Sequence, residues 1–186
     1  MSNRPAPRPL AHLACFALLL LAAGCDRDAP AASTAAASPA AQDTQADLIA
    51  RGEYLVRVTG CNDCHTPGYA EQQGNVDRAL WLTGSPLGYR GPWGTTYAAN
   101  LRLKLADMDE AQWLAYSGNL RTRPIMPDFV LRSITADDRR AMFHFIKSLG
   151  PGGEPAPAYL PPRQAPQPPY FELVMPTGAP AIVGAP

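Results

Sequence analysis

Cys61-Asn62-Asp63-Cys64-His65 is the stretch that governs how the rest of this chain is read. Residues three and four apart share one face of a helix, so Cys61, Cys64 and His65 project to the same side. C-x-x-C-H is an attachment signature for a c-type haem. Each thiol reaches one porphyrin vinyl group, and the imidazole points at the iron from the same side. A bare C-x-x-C would leave a redox dithiol or half a zinc site open. The adjoining histidine narrows that choice, and the other histidines are His12 and His144, too few for a second zinc ligand pair. The expectation is one haem c, covalently attached through Cys61 and Cys64, with His65 on the iron.

A haem iron with one histidine needs its opposite face explained. The methionines beyond the leader segment are Met108, Met126, Met142 and Met175. Met126 lies in Arg123-Pro124-Ile125-Met126-Pro127, where the prolines fix φ and push Arg123 and Met126 toward extended geometry. A thioether is a weak, neutral ligand, so a stiff loop that holds it near the iron makes chemical sense. The bland alternative is a rigid turn with a core methionine. His144 is the rival ligand, but it falls off the apolar stripe of its segment and reads as a surface residue. Arg90, Arg121 and Arg123 could pair with a haem propionate or dock an acidic partner, or simply be solvated charges. Trp93 and Tyr97, in Gly91-Pro-Trp-Gly-Thr-Thr-Tyr97, are candidates for lining the haem pocket or for ordinary aromatic core.

The first residues have the form of a targeting segment. Arg4 and Arg8 precede the apolar run Leu13 to Ala23, which is too short for a mature membrane span. The run ends in Leu21-Ala22-Ala23-Gly24-Cys25, which resembles a bacterial lipoprotein cleavage site with Cys25 as the lipidated residue. Ala22 stands where that pattern usually has leucine, and ordinary cleavage near Ala23 is the alternative. Asp26 resembles an inner-membrane retention signal. The expected location is therefore the periplasmic side of a bacterial inner membrane, anchored by acyl chains on Cys25, or else the soluble periplasm. With Cys15 in the leader and Cys61 and Cys64 on haem, no cysteine is left for a disulfide.

Without Arg4 and Arg8, 14 of the 16 basic side chains remain against 16 acidic ones. Such a balance gives no electrostatic case for nucleic acid as a partner. Residues 1–24 read as the leader, and residues 25–45, mostly Ala, Ser, Thr, Pro and Asp, as a flexible tether. Residues 46–150 read as the folded domain. Its first helix is expected over Asp47 to Val58, with Gly60 ending it and Gly52 allowing close approach of another helix. A second is expected from Asp109, where Asp-Glu-Ala-Gln suits a capping box, to Ser117. A last helix is expected after Thr135, with Ala141, Met142, Phe145, Ile146 and Leu149 on one stripe. Residues 66–104 are rich in Gly, Pro and aromatics and are expected to be loops packed on the haem. The segment 151–186 holds 11 prolines and is expected to be an extended tail, with Tyr159, Tyr170 and Phe171 as anchors onto the domain or a partner.

Together these residues resemble the class I cytochrome c family over roughly residues 47–150. The resemblance implies an all-α fold, a small helical domain wrapped around one haem. It also implies that the first and last helices cross where Gly52 meets Phe145 or Ile146. More narrowly, Gly94-Thr-Thr-Tyr-Ala-Ala-Asn100 is similar to a segment in the cytochrome subunits of membrane-bound alcohol, aldehyde and gluconate dehydrogenases. There the stretch ends in Asn-Ile-Thr-Pro-Asp, whereas here Leu101-Arg102-Leu103-Lys104 follows. Those subunits often carry three haem motifs, and this chain has one. The resemblance implies a non-enzymatic, membrane-tethered electron carrier between a dehydrogenase donor and a cytochrome or oxidase acceptor. A peroxidase-like haem enzyme and a haem-containing sensor or assembly lipoprotein are the alternatives.

Overall fold

The structure, a computed structural model, describes residues 43–178. The leader, Cys25 with its expected lipid, most of the tether and residues 179–186 lie outside the described residues. Helix α1 spans Gln45–Val58 and begins in a full capping box. The Thr44 hydroxyl accepts from the Asp47 backbone N–H, and the Asp47 carboxylate accepts from that of Thr44. Gly60, at φ 73°, then turns the chain in a left-handed conformation that glycine adopts without Cβ strain. That turn launches α2, Cys61–His65, directly from the end of α1.

Helix α3 spans Leu101–Ala106, α4 spans Glu110–Asn119, α5 spans Asp128–Ser133 and α6 spans Ala136–Ser148. The expected Asp109–Gln112 capping box is formed at the start of α4. At the start of α6 the Thr135 side chain accepts from the Asp138 backbone N–H. Helices α1 and α6 cross at Gly52, which lies against Ala141 and Phe145. Phe145, Val56, Leu82 and Leu105 are wholly buried around this crossing. Burying each such side chain contributes roughly 1.5–3 kcal/mol relative to leaving it in water.

The expectation of an all-α fold is corrected by a three-stranded mixed sheet of order β2-β1-β3. Strands β1, Gly88–Gly91, and β2, Gly94–Tyr97, form an antiparallel hairpin around Pro92-Trp93, within the stretch expected to be loops. Proline presets φ for the first turn position, and Gly94 takes φ 99° at its exit. Strand β3, Tyr170–Glu172, comes from the Pro-rich tail and pairs parallel to β1, Gly88 opposite Tyr170 and Arg90 opposite Glu172. The physical reason is that the tail supplies backbone donors and acceptors to an edge that the hairpin leaves open. The result is a small mixed α/β unit. Tyr170 and Phe171 thus anchor the tail on the domain. Among the described residues, no helix is long and apolar enough to cross a membrane.

Candidate haem site

Helix α2 is tied down from both sides before any ligand is considered. The Thr66 hydroxyl donates to Asn62 Oδ1 at 2.8 Å and accepts from the Leu82 backbone N–H at 2.8 Å. The Gly84 N–H donates to the His65 carbonyl at 2.8 Å. These bonds fix one turn of helix that, at five residues, is too short to hold itself.

His65 Nδ1 lies 2.7 Å from the Ala99 carbonyl oxygen. A carbonyl only accepts, so Nδ1 carries the proton and the Nε2 lone pair is left available. That is the arrangement that orients a metal-ligating imidazole. His65 is buried, and burial pushes its pKa down, partly opposed by the bond to Ala99, which favours the neutral ring a ligand needs. Cys61 and Cys64 are both free thiols. Burial pushes the Cys61 thiol up, and its sulfur lies 3.3 Å from the Thr59 hydroxyl.

Cys61, Cys64 and His65 open onto a cavity of about 450 Å³, and Met126 lines the same cavity from the loop between α4 and α5. A volume of that order is typical of sites for cofactors and other small molecules. Its lining is largely apolar and includes Leu131, Met142 and Ile146. The charged side chains on its wall are Lys104, Arg121 and Arg123, all cationic. The donor set thus fits a haem: two thiols for covalent attachment, a neutral imidazole, a thioether, an apolar body and cations for two carboxylates.

The Met126 loop is pinned at several points. Thr96 Oγ1 donates to the Pro124 carbonyl at 2.6 Å. The buried Asp128 carboxylate accepts from the Thr122 N–H at 2.6 Å and pairs with Arg132. Burial would raise the Asp128 carboxyl, but the hydrogen bonds and charge from Arg132 and the bonds from Thr122 outweigh it and hold it below the usual range.

The remaining sequence candidates separate clearly. Tyr97 lines the cavity. Trp93 is not among the lining residues; its Nε1 donates to the Tyr89 carbonyl at 3.3 Å and its ring covers Gly91. Arg90 turns to Glu172 on the tail strand, 3.4 Å away. His144 is likewise off the cavity wall, held between Glu110 at 2.8 Å and Gln45 at 3.1 Å.

Several cavity residues escaped the sequence reading, among them Lys104, Trp113, Tyr116, Met142 and Tyr89. Met142, expected only as core, both belongs to the core and lines the cavity. Tyr89 places its hydroxyl 3.7 Å from Cys64 Sγ, and burial, with help from Cys64, raises its pKa well above the ordinary phenol value. No local pattern marks Tyr89, because its place depends on the hairpin that the sequence reading missed.

The chain matches no family model, and neither the curated proteins nor the solved structures contain a match to it.

Proposed function

We propose that this chain is a single-haem c-type electron-transfer protein. The observation that carries the reading is the convergence of Cys61, Cys64, His65 and Met126, from two separate segments, on one largely apolar cavity. Bound haem would supply a one-electron iron couple, whose potential a methionine opposite histidine raises relative to stronger donors. Cys61 and Cys64 would hold the group through thioether bonds, and His65 and Met126 would ligate the iron. Lys104, Arg121 and Arg123 offer charge for the two carboxylates. Met126 is preferred over Met142 because it sits on a loop outside the packed helix interface, whereas Met142 is 2% exposed within the core.

With His65 and Met126 both committed to the haem, the site would leave no place for a substrate, and its role would be to pass electrons. The proposed location is the periplasmic side of a bacterial membrane, tethered by lipid on Cys25. The proposed partners are a dehydrogenase donor and a cytochrome or oxidase acceptor. A peroxidase-like site would need an acid–base group beside the haem, and the engagement of His144 with Glu110 does not favour that reading.

The test is spectroscopic. Chain produced in a bacterium able to attach haem should carry one covalent haem, show a low-spin spectrum, and bind carbon monoxide slowly when reduced. Failure of covalent attachment, or a high-spin protein that binds carbon monoxide at once, would overturn the proposal.

A further inference from the structure

We infer that Tyr159, in the Pro-rich tail, is a positioning residue for the Met126 loop, and that the tail thereby sets how firmly the sixth ligand is held. This rests on the reading of Met126 as that ligand. The tail crosses the hairpin at Leu160, whose N–H and carbonyl exchange both hydrogen bonds with Thr95, at 3.0 and 2.8 Å. The crossing is close enough that a Cβ on Gly94 would meet the Leu160 carbonyl oxygen at 2.2 Å. Beside it, the Tyr159 hydroxyl donates to the Trp93 carbonyl at 2.8 Å. Both anchors therefore fix the tyrosine to the turn and second strand of the hairpin.

From that fixed position the Tyr159 ring stacks under the Arg123 guanidinium, 4.0 Å from its centroid. Arg123 begins the rigid Arg-Pro-Ile-Met-Pro run that carries Met126. The next residue, Pro124, is bonded to Thr96 on the same strand. The loop is thus gripped at two consecutive residues by one hairpin, and one of the two grips passes through the tail. Tyr159 is 38% exposed and belongs to no core cluster, so it can be removed without emptying the interior. A cation over an aromatic face is favourable at such sites, and losing it shifts a local open–closed equilibrium by roughly two- to fivefold.

The experiment uses the full-length, haem-loaded protein and its Tyr159→Ala, Tyr159→Phe and Met126→Ala variants. Carbon monoxide association with the reduced form and hydrogen exchange at the amides of residues 121, 122, 123, 125 and 126 are both followed. Tyr159→Ala should bind carbon monoxide roughly two- to fivefold faster than wild type and exchange faster across that loop. Tyr159→Phe, which keeps the ring but loses the bond to Trp93, should fall between them. Unchanged exchange in Tyr159→Ala overturns the positioning role, as does faster exchange with a wild-type carbon monoxide rate in a protein whose Met126→Ala variant binds rapidly. If wild type already binds as fast as Met126→Ala, the ligand reading of Met126 fails and the inferred control of ligation falls with it. Exchange then still reports whether Tyr159 holds the loop.

Discussion

Gly52 faces Ala141 so closely that a methyl group at Gly52 would meet the Ala141 carbonyl oxygen at 2.0 Å and carbon at 2.6 Å. These are backbone atoms of α6, so no side-chain rotation relieves the clash. Gly52→Ala would gain about 1 kcal/mol in helix propensity, yet forcing α1 and α6 apart costs about 1–3 kcal/mol or more. The expected net result is a lower urea midpoint with an unchanged slope. A stabilised variant would contradict the observed crossing.

Arg102 gathers the end of α6. Its guanidinium donates to the carbonyls of Gly150 at 2.6 Å, Leu149 at 2.6 Å and Ala79 at 2.7 Å. Carbonyls at a helix C-terminus have no intrahelical donor, and a cation there also meets the negative end of the dipole. Arg102→Ala should destabilise the fold by about 2 kcal/mol, measured by chemical denaturation. Arg102→Lys should recover only part of this, because the carbonyls are reached from three separate guanidinium nitrogens, Nε, Nη1 and Nη2, whose spread a single ammonium nitrogen does not reproduce.

Under the proposed ligation, Met126→Ala should remove the near-infrared sulfur-to-iron band of the oxidised, haem-loaded protein, lower its reduction potential and open the iron to carbon monoxide. Met142→Leu, which conserves volume in the core, should leave that band in place. The reverse pattern would transfer the ligand role to Met142, which lines the same cavity.

Cys61→Ser together with Cys64→Ser should yield a chain without covalent haem and without a sharp melt. An apolar cavity of about 450 Å³ left unfilled is a large defect for a domain of this size. A cooperative melt of the double variant at the wild-type temperature would show that the protein packs without the group.

Asp138 accepts from Arg51 Nε at 2.9 Å, joining α6 to α1. That hydrogen bond, opposed by slight burial, holds the carboxyl below its ordinary value of 3.8. A depressed folded pKa stabilises the fold above the unfolded value, and the contribution disappears as pH falls through the folded one. Asp138→Asn should therefore lower the urea midpoint slightly at pH 7 and leave a smaller difference as the pH is taken below 3.8. The pair is partly exposed, so added salt should also shrink the pH 7 difference.

The helices were legible because their signals are local. Thr135 and the Asp109–Gln112 box mark starts, and the stripe from Ala141 to Ile146 marks a buried face. The C-x-x-C-H spacing put three site residues on one turn without any tertiary information. The sheet was not legible, for a different reason at each strand. Strands β1 and β2 are four residues long, β1 with glycine at both ends and β2 with glycine at its start, too short for alternation to register. Every residue of β3 is exposed, so it carries no inward-facing pattern at all. Short α3 and α5 were likewise hidden, being six residues each. Tyr89 and Met142 joined the cavity through tertiary placement that spacing alone does not encode.

The parallel pairing of Gly88 with Tyr170 makes completion of the sheet a late event in the life of each chain. Contacts so distant along the sequence recover their loop-closure entropy only after the intervening helices have folded. While the chain is being synthesised, β1 has β2 on one side and bare backbone donors and acceptors on the other. Such an edge pairs readily with any extended segment, including one from a second copy of the protein. A ribosome stalled or a protease acting between α6 and β3 would thus produce a fragment that retains the cysteines and histidine yet has a reactive sheet edge. Such fragments should self-associate, so the tail acts as a seal on newly made protein.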